Sequence, residues 1–265
     1  INRDMIHYLE TKISNLRYSD QGEGEVLILL HGYLEAIETF DAFAKDLATK
    51  GRVICIDLPG HGKSNIKHDN VGVEEMAEAV LAFVNELNLG KVHLMGHSMG
   101  GYVALAFADR YSDKLASFSL LHSTANPDTE EKRENRKREI GLIKRGKKEL
   151  ICNTAVPNTF SKRNQDLFSK EIEGLVQIAS ETSDDGVVVA LNAMMNRADR
   201  NETLKALQIP KYSFIGKEDN FIPFEKGMEL ANTNGMNPIV FENSGHMSFV
   251  EEQDACVEAV RNIMK

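Results

Sequence analysis

The sequence has few cysteines and no long apolar run, and both absences restrict what it can encode. Three cysteines are spread over 265 residues without a Cys-x-x-Cys pair, so neither a disulfide framework nor a cysteine-rich zinc site is expected. No stretch approaches the roughly 18 apolar residues of a membrane helix. The opening Ile-Asn-Arg-Asp lacks the apolar segment of a secretory signal. We therefore expect a cytoplasmic protein with no membrane span.

The chain also lacks an excess of positive charge. Lys and Arg number 31 against 40 Asp and Glu, a formal net charge of −9. That charge repels polyanions, so we expect no nucleic-acid partner. With 42% hydrophobic and 27% charged residues, the composition is that of one large globular domain, with or without an insertion. It leaves the oligomeric state open.

Motifs for nucleotide and metal binding are missing. The segment Gly62-Lys63-Ser64 resembles the end of a phosphate-binding loop, but Asp57 stands where that loop requires a glycine. No Gly-x-Gly-x-x-Gly opens a helix, and His-Glu-x-x-His does not occur. We therefore expect no cofactor and no metal.

Short apolar runs alternate with helical patterns along the chain, which predicts an α/β fold with a mostly parallel sheet flanked by helices. One helix is predicted over residues 40–47, with Thr39 as its cap and Gly51 as its stop. Leu16 and Tyr18 alternate with polar neighbours, so the opening segment is interpreted as antiparallel edge strands. The predicted buried strands are 26–30, 53–56, 92–95, 118–121, 212–215 and 239–241, and two further helices are predicted over 73–84 and 256–263.

The composition changes near residue 126. Fifteen of the 22 residues from Asp128 to Glu149 are charged, and no strand pattern follows until about Tyr212. So long an excursion predicts a helical cap over residues 126–201, inserted into a core made of 1–125 and 202–265. We interpret its mixed charges as a solvated helix face.

The strongest local motif is Gly96-His97-Ser98-Met99-Gly100, which lies between a predicted strand and a predicted helix. Such a turn strains the serine backbone and exposes its hydroxyl at the carboxyl end of the strand. The glycines are needed because side chains there would collide with the strand and the helix. The N-terminus of the helix also suits a developing oxyanion. The motif predicts Ser98 as a nucleophile.

A serine nucleophile needs a base, and the base needs an acid that orients it. His246 follows the last predicted strand, and Asp219 follows the strand before it, with Glu218 as the alternative acid. Ser98, Asp219 and His246 thus each lie just past a strand end. We expect other roles for the remaining histidines. His31 and His61 should form backbone hydrogen bonds, and the ring of His97 should point away from Ser98. His93 and His122 are interpreted as hydrogen-bonded core residues, and no role is assigned to His7 and His68.

Four segments together resemble the α/β-hydrolase-fold serine hydrolases over essentially the whole chain. They are residues 29–33 (LLHGY), 57–64 (DLPGHGKS), the serine motif extended by Gly101, and 216–219 together with 245–246. The chain is similar to small-capped carboxylesterases and to the menaquinone-pathway synthase that eliminates pyruvate. The resemblance implies an oxyanion hole made by the backbone N–H groups of Tyr33 and Met99, and a helical cap after the sixth strand. It also implies a serine enzyme, because family members with an aspartate nucleophile would carry it in place of Ser98.

The expected function is hydrolysis of a small-molecule carboxylic ester with a small or medium acyl group, through an acyl-enzyme. Two alternatives stay open. One is lyase or carbon–carbon bond chemistry by the same triad, and the other is a non-catalytic ligand receptor on this scaffold. Apolar residues of the cap either line the substrate pocket or pack the cap onto the core; these are Phe160, Phe168, Met194 and Met195.

Overall fold

The computed structural model describes residues 5–68 and 70–265, so the opening tetrapeptide on which the secretory-signal argument rests lies outside the described residues. The described chain forms an eight-stranded sheet in the order β1-β2-β4-β3-β5-β6-β7-β8. The strands are β1 (Ile6–Glu10), β2 (Asn15–Gln21), β3 (Val26–Leu30), β4 (Arg52–Ile56), β5 (Val92–His97), β6 (Leu115–Leu121), β7 (Lys211–Gly216) and β8 (Asn237–Phe241).

The predicted α/β fold is confirmed. From β4 onward the neighbouring strands are parallel, whereas β1 with β2 and β2 with β4 are antiparallel. Every residue of β3 and of β5 is buried, as expected for strands that are covered by helices on both faces. The opening segment supplies the antiparallel edge, as its alternating pattern predicts.

Helices cover both faces of the sheet. The predicted start of the first helix is wrong. The first helix begins at Asp41 with Phe40 at its N-cap, because residues 37–40 form a preceding turn of 3₁₀ helix that takes up Thr39. The helices are α1 (Asp41–Leu47), α2 (Val73–Glu86), α3 (Met99–Tyr111), α4 (Glu130–Ile143), α5 (Lys148–Ala155), α6 (Ser169–Glu181), α7 (Asp184–Asn196), α8 (Asn201–Ala206), α9 (Phe224–Thr233), α10 (Ser248–Glu251) and α11 (Gln253–Ile263). No helix of residues 5–68 and 70–265 has the length and apolar character needed to cross a bilayer.

Between β6 and β7 the chain forms helices α4 to α8 and short 3₁₀ turns. Only Ile143 of α4 is buried, whereas α7 buries seven residues and packs against α4. Arg197, just after α7, ties the start and the end of this excursion together by donating to Asp128 at 2.6 Å and to the carbonyl of Asn126. The division of the chain at residues 126 and 201 stays a prediction.

The parallel strands bring the ends of five segments to one edge of the sheet. β3, β5, β6, β7 and β8 all finish there, and in open α/β sheets this carboxyl edge is where ligands bind. The segments that follow these strands carry Tyr33, Ser98, His122, Asp219 and His246. The fold therefore places the predicted site residues near one edge, and it adds His122, which is predicted from the sequence to be a core residue.

Candidate active site

Ser98 lies in the tight turn between β5 and α3. Its backbone has φ 49° and ψ −114°, a region that L-residues rarely occupy and that stores strain. A Cβ on Gly96 would lie 2.3 Å from the carbonyl oxygen of Gly100, and one on Gly100 would lie 2.2 Å from that of Leu30. The collision with the strand and the helix that the motif implies is thus present at both glycines. The turn is held by a hydrogen bond from the Ser98 N–H to the Leu121 carbonyl, at 3.0 Å.

Asp219 and His246 are hydrogen-bonded to one another. His246 Nδ1 lies 2.7 Å from Asp219 Oδ2, and both side chains are buried. The other oxygen, Oδ1, accepts the backbone N–H groups of Phe221 and Ile222 at 2.8 and 3.0 Å. Burial by itself raises the pKa of Asp219, but the adjacent His246 and His122 outweigh it and hold that pKa far below its ordinary value. Asp219 is therefore an anion that keeps the proton of His246 on Nδ1.

Glu218, the alternative acid, turns away from this pair. Its carboxylate lies 2.6 Å from Arg163 in a partly exposed ion pair. Its backbone N–H donates to the Ser244 carbonyl at 2.9 Å, which helps to bring the loop after β7 against the loop after β8. The carboxylate in contact with His246 is that of Asp219.

Ser98 and His246 line one cavity of about 320 Å³. Tyr33 is part of the same wall, and as the first residue of α3, Met99 has an N–H that no helical carbonyl accepts. Of the four apolar residues proposed for the pocket, only Met194 lines this cavity within the described chain. Phe160 and Phe168 instead pack on each other with ring centroids 6.0 Å apart, and Met195 is buried elsewhere in the insertion.

His122 was interpreted from sequence as a satisfied core group, and the structure adds a contact with Asp219. Its Nδ1 lies 3.5 Å from Asp219 Oδ2, and its Nε2 lies 2.7 Å from the hydroxyl of Ser248. Complete burial lowers the pKa of His122 to about 4, despite the opposing effect of Asp219. The neutral ring thus packs beside the acid as a second imidazole. The available signal was its place just past the end of β6, the same signal that singled out Asp219 and His246.

These three residues could in principle hold a metal ion, because ligand atoms of His122, Asp219 and His246 lie within 4.8 Å of one another. Two imidazoles and a carboxylate are a donor set that suits Zn²⁺. Both oxygens of Asp219 already accept hydrogen bonds, however, and a metal would displace the proton that His246 donates. The geometry fits a hydrogen-bonded cluster better than a metal site.

A second finding missed from the sequence is that α4 turns charged side chains toward the cavity. Lys132, Asn135, Arg136 and Glu139 line it, at the i, i+3, i+4, i+7 spacing of one helix face. Lys132 and Asn135 are exposed on this side of α4, as the solvated-face interpretation expects, but Arg136 and Glu139 are half-buried at the cavity. Because the helix is polar all round, its sequence carries no apolar stripe that marks the inward face.

Two guanidinium groups meet at Asp128, behind the part of the cavity wall that α4 forms. The single buried carboxylate of Asp128 accepts from Arg136 Nε at 2.5 Å and from Arg197 Nη1 at 2.6 Å. Two guanidinium groups thus share one carboxylate. Of the two, Arg136 lines the cavity, together with Lys132. Glu139 is the opposing acid; burial raises its pKa in spite of Arg136, and Tyr33 donates its hydroxyl to it at 3.2 Å.

Comparison with known proteins identifies the family of this chain. The sequence model described as the alpha/beta hydrolase fold matches residues 25–141. A thermophilic esterase from Thermogutta terrifontis, whose structure contains malate, is 30% identical and superposes with a TM-score of 0.91 over 97% of each chain. The chain belongs to the α/β-hydrolase family. The fold and family expected from the four sequence segments are confirmed.

The relatives of this α/β-hydrolase are named for different substrates or only for the family. The AB hydrolase superfamily protein YisY of Bacillus subtilis strain 168 is 28% identical, over 94% of this chain and 96% of that protein. The 2-hydroxy-6-oxononadienedioate/2-hydroxy-6-oxononatrienedioate hydrolase of Escherichia coli K12 is 25% identical, over 96% of this chain and 92% of its own length. Family membership therefore supports a hydrolase, and the choice of substrate rests on this chain's own cavity.

Proposed function

We propose that this α/β-hydrolase cleaves a carboxylic ester with a small or medium acyl group, with Ser98 as nucleophile, His246 as base and Asp219 as the acid that orients it. The observation that carries the proposal is the 2.7 Å hydrogen bond between Asp219 and His246 beside a cavity that Ser98 also lines. The likeness to the T. terrifontis esterase supports it. A cavity of about 320 Å³ is at the small end of ligand pockets, which favours a compact substrate.

The reaction proceeds in two acyl-transfer steps. Because Asp219 holds a proton on Nδ1 of His246, Nε2 is free to take the proton of the Ser98 hydroxyl as its oxygen attacks the ester carbonyl. His246 then donates this proton to the departing alcohol. Water, activated by the same imidazole, attacks the acyl-enzyme and releases the acid and Ser98.

The backbone N–H groups of Tyr33 and Met99 stabilise the tetrahedral oxyanion in this proposal. Within the described chain the N–H of Tyr33 donates to no other protein group. Met99 is at the N-terminus of α3, where the helix dipole adds partial positive charge. Two such donors in a water-poor site are worth several kcal/mol to the transition state.

A fluorophosphonate probe and a series of p-nitrophenyl esters from acetate to decanoate test the proposal. We expect the probe to label the wild-type protein on Ser98 and the rate to be highest for the shorter acyl chains. The matched control is Ser98→Ala, which should neither be labelled nor turn over any ester. Labelling or turnover that survives in Ser98→Ala, or a wild-type protein inert to both reagents, would contradict the proposal.

A second candidate function, hydrolysis of a carbon–carbon bond in a carboxylated dienone, is favoured by the cations on α4. The E. coli relative is named for dioate substrates, which carry two carboxylates. Arg136 and Lys132 line the cavity, and Arg136 directs Nε and Nη2 to Asp128. The donors on Nη1 are left for a substrate carboxylate, which guanidinium groups bind well.

Substitution of Arg136 distinguishes the two candidates. With Arg136→Met, kcat/KM on a dicarboxylated dienone should fall at least about tenfold, which corresponds to the loss of one charge-assisted hydrogen bond. Hydrolysis of a neutral p-nitrophenyl ester should change little. Lys137→Met, one residue along α4 in an exposed ion pair with Glu134, is the matched control. A wild-type protein that cleaves neutral esters quickly and dienones not at all would rule out the second candidate.

A further inference from the structure

A buried acid–base pair, separate from the three proposed catalytic residues, lies next to them, with the ring centroid of one member 4.9 Å from that of His246. Glu35 follows the turn after β3, and His97 is the last residue of β5. Their side chains are 10% and 0% exposed, and Glu35 Oε2 lies 3.0 Å from His97 Nδ1. Neither side chain takes part in the proton transfers described above.

The two ends of this pair reach two different loops of the site. Glu35 Oε2 accepts the backbone N–H of Gly32 at 2.7 Å, and Gly32 directly precedes Tyr33. His97 Nε2 lies 2.9 Å from the backbone carbonyl of His246. His97 itself directly precedes Ser98. The pair therefore joins the Tyr33 loop, the serine turn and the His246 loop through two side chains.

The contacts of His97 define its protonation state. A backbone carbonyl only accepts hydrogen bonds, so Nε2 must carry a proton. A carboxylate likewise only accepts, so Nδ1 must carry one as well, and the ring is an imidazolium. Burial by itself lowers the pKa of His97, but Glu35 outweighs it and raises that pKa above its ordinary value. Burial raises the pKa of Glu35, but His97 and the Gly32 N–H outweigh it and lower that pKa.

The other groups facing the pair do not supply a competing counter-charge at contact distance. The rings of His246 and His122 have centroids 4.9 and 6.2 Å from that of His97, and Phe249 packs edge-on at 5.0 Å. Asp219 and His31 act on the pair through longer-range electrostatics. Among the described residues, Glu35 is thus the carboxylate that directly partners His97.

We propose that Glu35 and His97 form a buried carboxylate–imidazolium pair that holds the oxyanion loop and the His246 loop in register with Ser98, as positioning residues of the hydrolase. This inference rests on the proposed function for its consequence in catalysis, and on the hydrogen-bond geometry for the existence of the pair. Loss of the pair lets Tyr33 N–H and His246 drift relative to Ser98, which lowers the rate of the chemical step more than the affinity for substrate.

The ion pair itself is tested without any activity measurement. In protein labelled with ¹⁵N at histidine, both ring nitrogens of His97 should show protonated shifts at pH 7, with the signals assigned by their loss in His97→Gln. In Glu35→Gln one of the two should become unprotonated, because an amide can donate to Nδ1 but cannot balance a buried imidazolium. A neutral His97 ring in the wild-type protein would overturn the pair, whatever the enzyme hydrolyses.

The positioning role is tested with Glu35→Ala and Glu35→Gln. Glu35→Ala should lower kcat on the best p-nitrophenyl ester by about 10- to 100-fold, as expected for a lost supporting contact, with KM nearly unchanged. In Glu35→Gln the atom in place of Oε2 is either the amide oxygen, which accepts the Gly32 N–H, or the amide nitrogen, which donates to a neutral His97. One of the two contacts is therefore kept, so this variant should recover part of the rate. In the wild-type protein kcat should fall at alkaline pH as His97 loses its proton, and this limb should be absent in Glu35→Gln.

A second His–Glu contact on the same strand provides the matched control. His93, near the start of β5, lies 2.8 Å from Glu25 Oε2, but Glu25 is 65% exposed and far from the serine turn. Glu25→Gln should leave kcat and the His246 ring signals unchanged.

Unchanged kcat in a folded Glu35→Ala would overturn the positioning role. If Glu35→Ala does not fold, the presence or absence of the alkaline limb in Glu35→Gln decides. If the wild-type protein proves inert to esters and fluorophosphonate, the proposed function fails separately. A shift of the His246 ring signals in Glu35→Ala then tests the positioning role without an activity measurement.

Discussion

Helices α3 and α4 both contribute residues to the cavity wall and are held in different ways. Ten of the 13 residues of α3 are buried, and the helix packs on β5 and β6 with Ser98 at its N-terminus. In α4 only Ile143 of 14 residues is buried. Its inward charges are instead fixed by hydrogen bonds such as that from Arg136 to Asp128.

In the proposed function, this difference separates the residues that carry out the reaction from those that contact the substrate. Under this proposal, the groups that must keep sub-ångström geometry lie in short loops at the ends of buried strands and at the start of a helix packed into the core. Movement of one residue there disturbs many neighbours. Groups that face the substrate from the insertion lie on a helix whose surface is mostly solvated, so they can be exchanged at little cost in folding. We therefore expect substitutions around α3 to affect rate and stability strongly, and substitutions on α4 to affect selectivity.

The largest contrast should come from Ser98→Ala set against Asn135→Ala. Both residues line the cavity, one at the start of α3 and one on α4. Ser98→Ala should reduce kcat by on the order of 10⁵-fold, since removal of a serine nucleophile leaves only binding and oxyanion stabilisation. Asn135→Ala should change kcat less than about threefold. Steady-state kinetics on a short p-nitrophenyl ester measures both. Comparable losses of kcat in the two variants would contradict the difference between α3 and α4.

Asp219→Asn and Glu218→Gln give the next largest contrast. Asparagine at 219 can hold His246 in the wrong tautomer, so kcat should fall by on the order of 10⁴-fold. Glu218 pairs with Arg163 at the surface, and its replacement should leave kcat near the wild-type value. The same ester assay, combined with a thermal melt to confirm folding, measures the pair. A wild-type kcat in Asp219→Asn would mean that His246 is oriented by another group.

The same Gly→Ala substitution should have opposite effects in the two regions. On Gly100 of α3, a Cβ would lie 2.2 Å from the Leu30 carbonyl oxygen, so the free energy of unfolding should drop by about 3 kcal/mol. Around Gly174 of α6, in the insertion, a Cβ meets nothing within 4 Å. There alanine should raise the free energy of unfolding by about 1 kcal/mol, because it is the better helix former. Denaturant unfolding measures both, and equal signs would contradict the contrast.

Between about pH 6.5 and pH 4, protonation of histidines should destabilise the core rather than the insertion, because all eight histidines lie outside residues 126–201. Burial lowers the pKa of His122 to about 4. Between that pH and about 6.5, His122 is therefore protonated in the unfolded chain but neutral in the folded protein. Stability therefore falls as pH drops from about 6.5, and this residue contributes about 3 kcal/mol of that loss by pH 4. Burial lowers the pKa of His61 to about 3, and it also lowers that of His31, with the same sign.

Replacement of one of these histidines measures the effect. In His122→Asn the slope of unfolding free energy against pH should be smaller by roughly 1 kcal/mol per pH unit near pH 5. An unchanged slope in His122→Asn would mean that His122 is protonated in the folded protein.

The sequence by itself determined the sheet, the helical excursion after β6 and the serine turn. Strand and helix patterns are local, and the strained turn at Ser98 depends on glycines within two residues of it. Because parallel strands end at one edge, the loop positions of Asp219 and His246 followed from the same local patterns, although their catalytic roles stay predictions.

Only the tertiary structure decided which charged and polar groups meet. The contacts of Glu35 with His97 and of His122 with Asp219 join residues 62 and 97 positions apart, and no periodicity in the chain encodes such a pairing. The inward face of α4 was likewise undetermined, because a helix that is polar all round is oriented by the few partners, such as Asp128, that the fold brings to it. Apolar burial is a property of each residue and can be read along the chain, whereas a hydrogen bond is a property of two residues and exists only once the chain has folded.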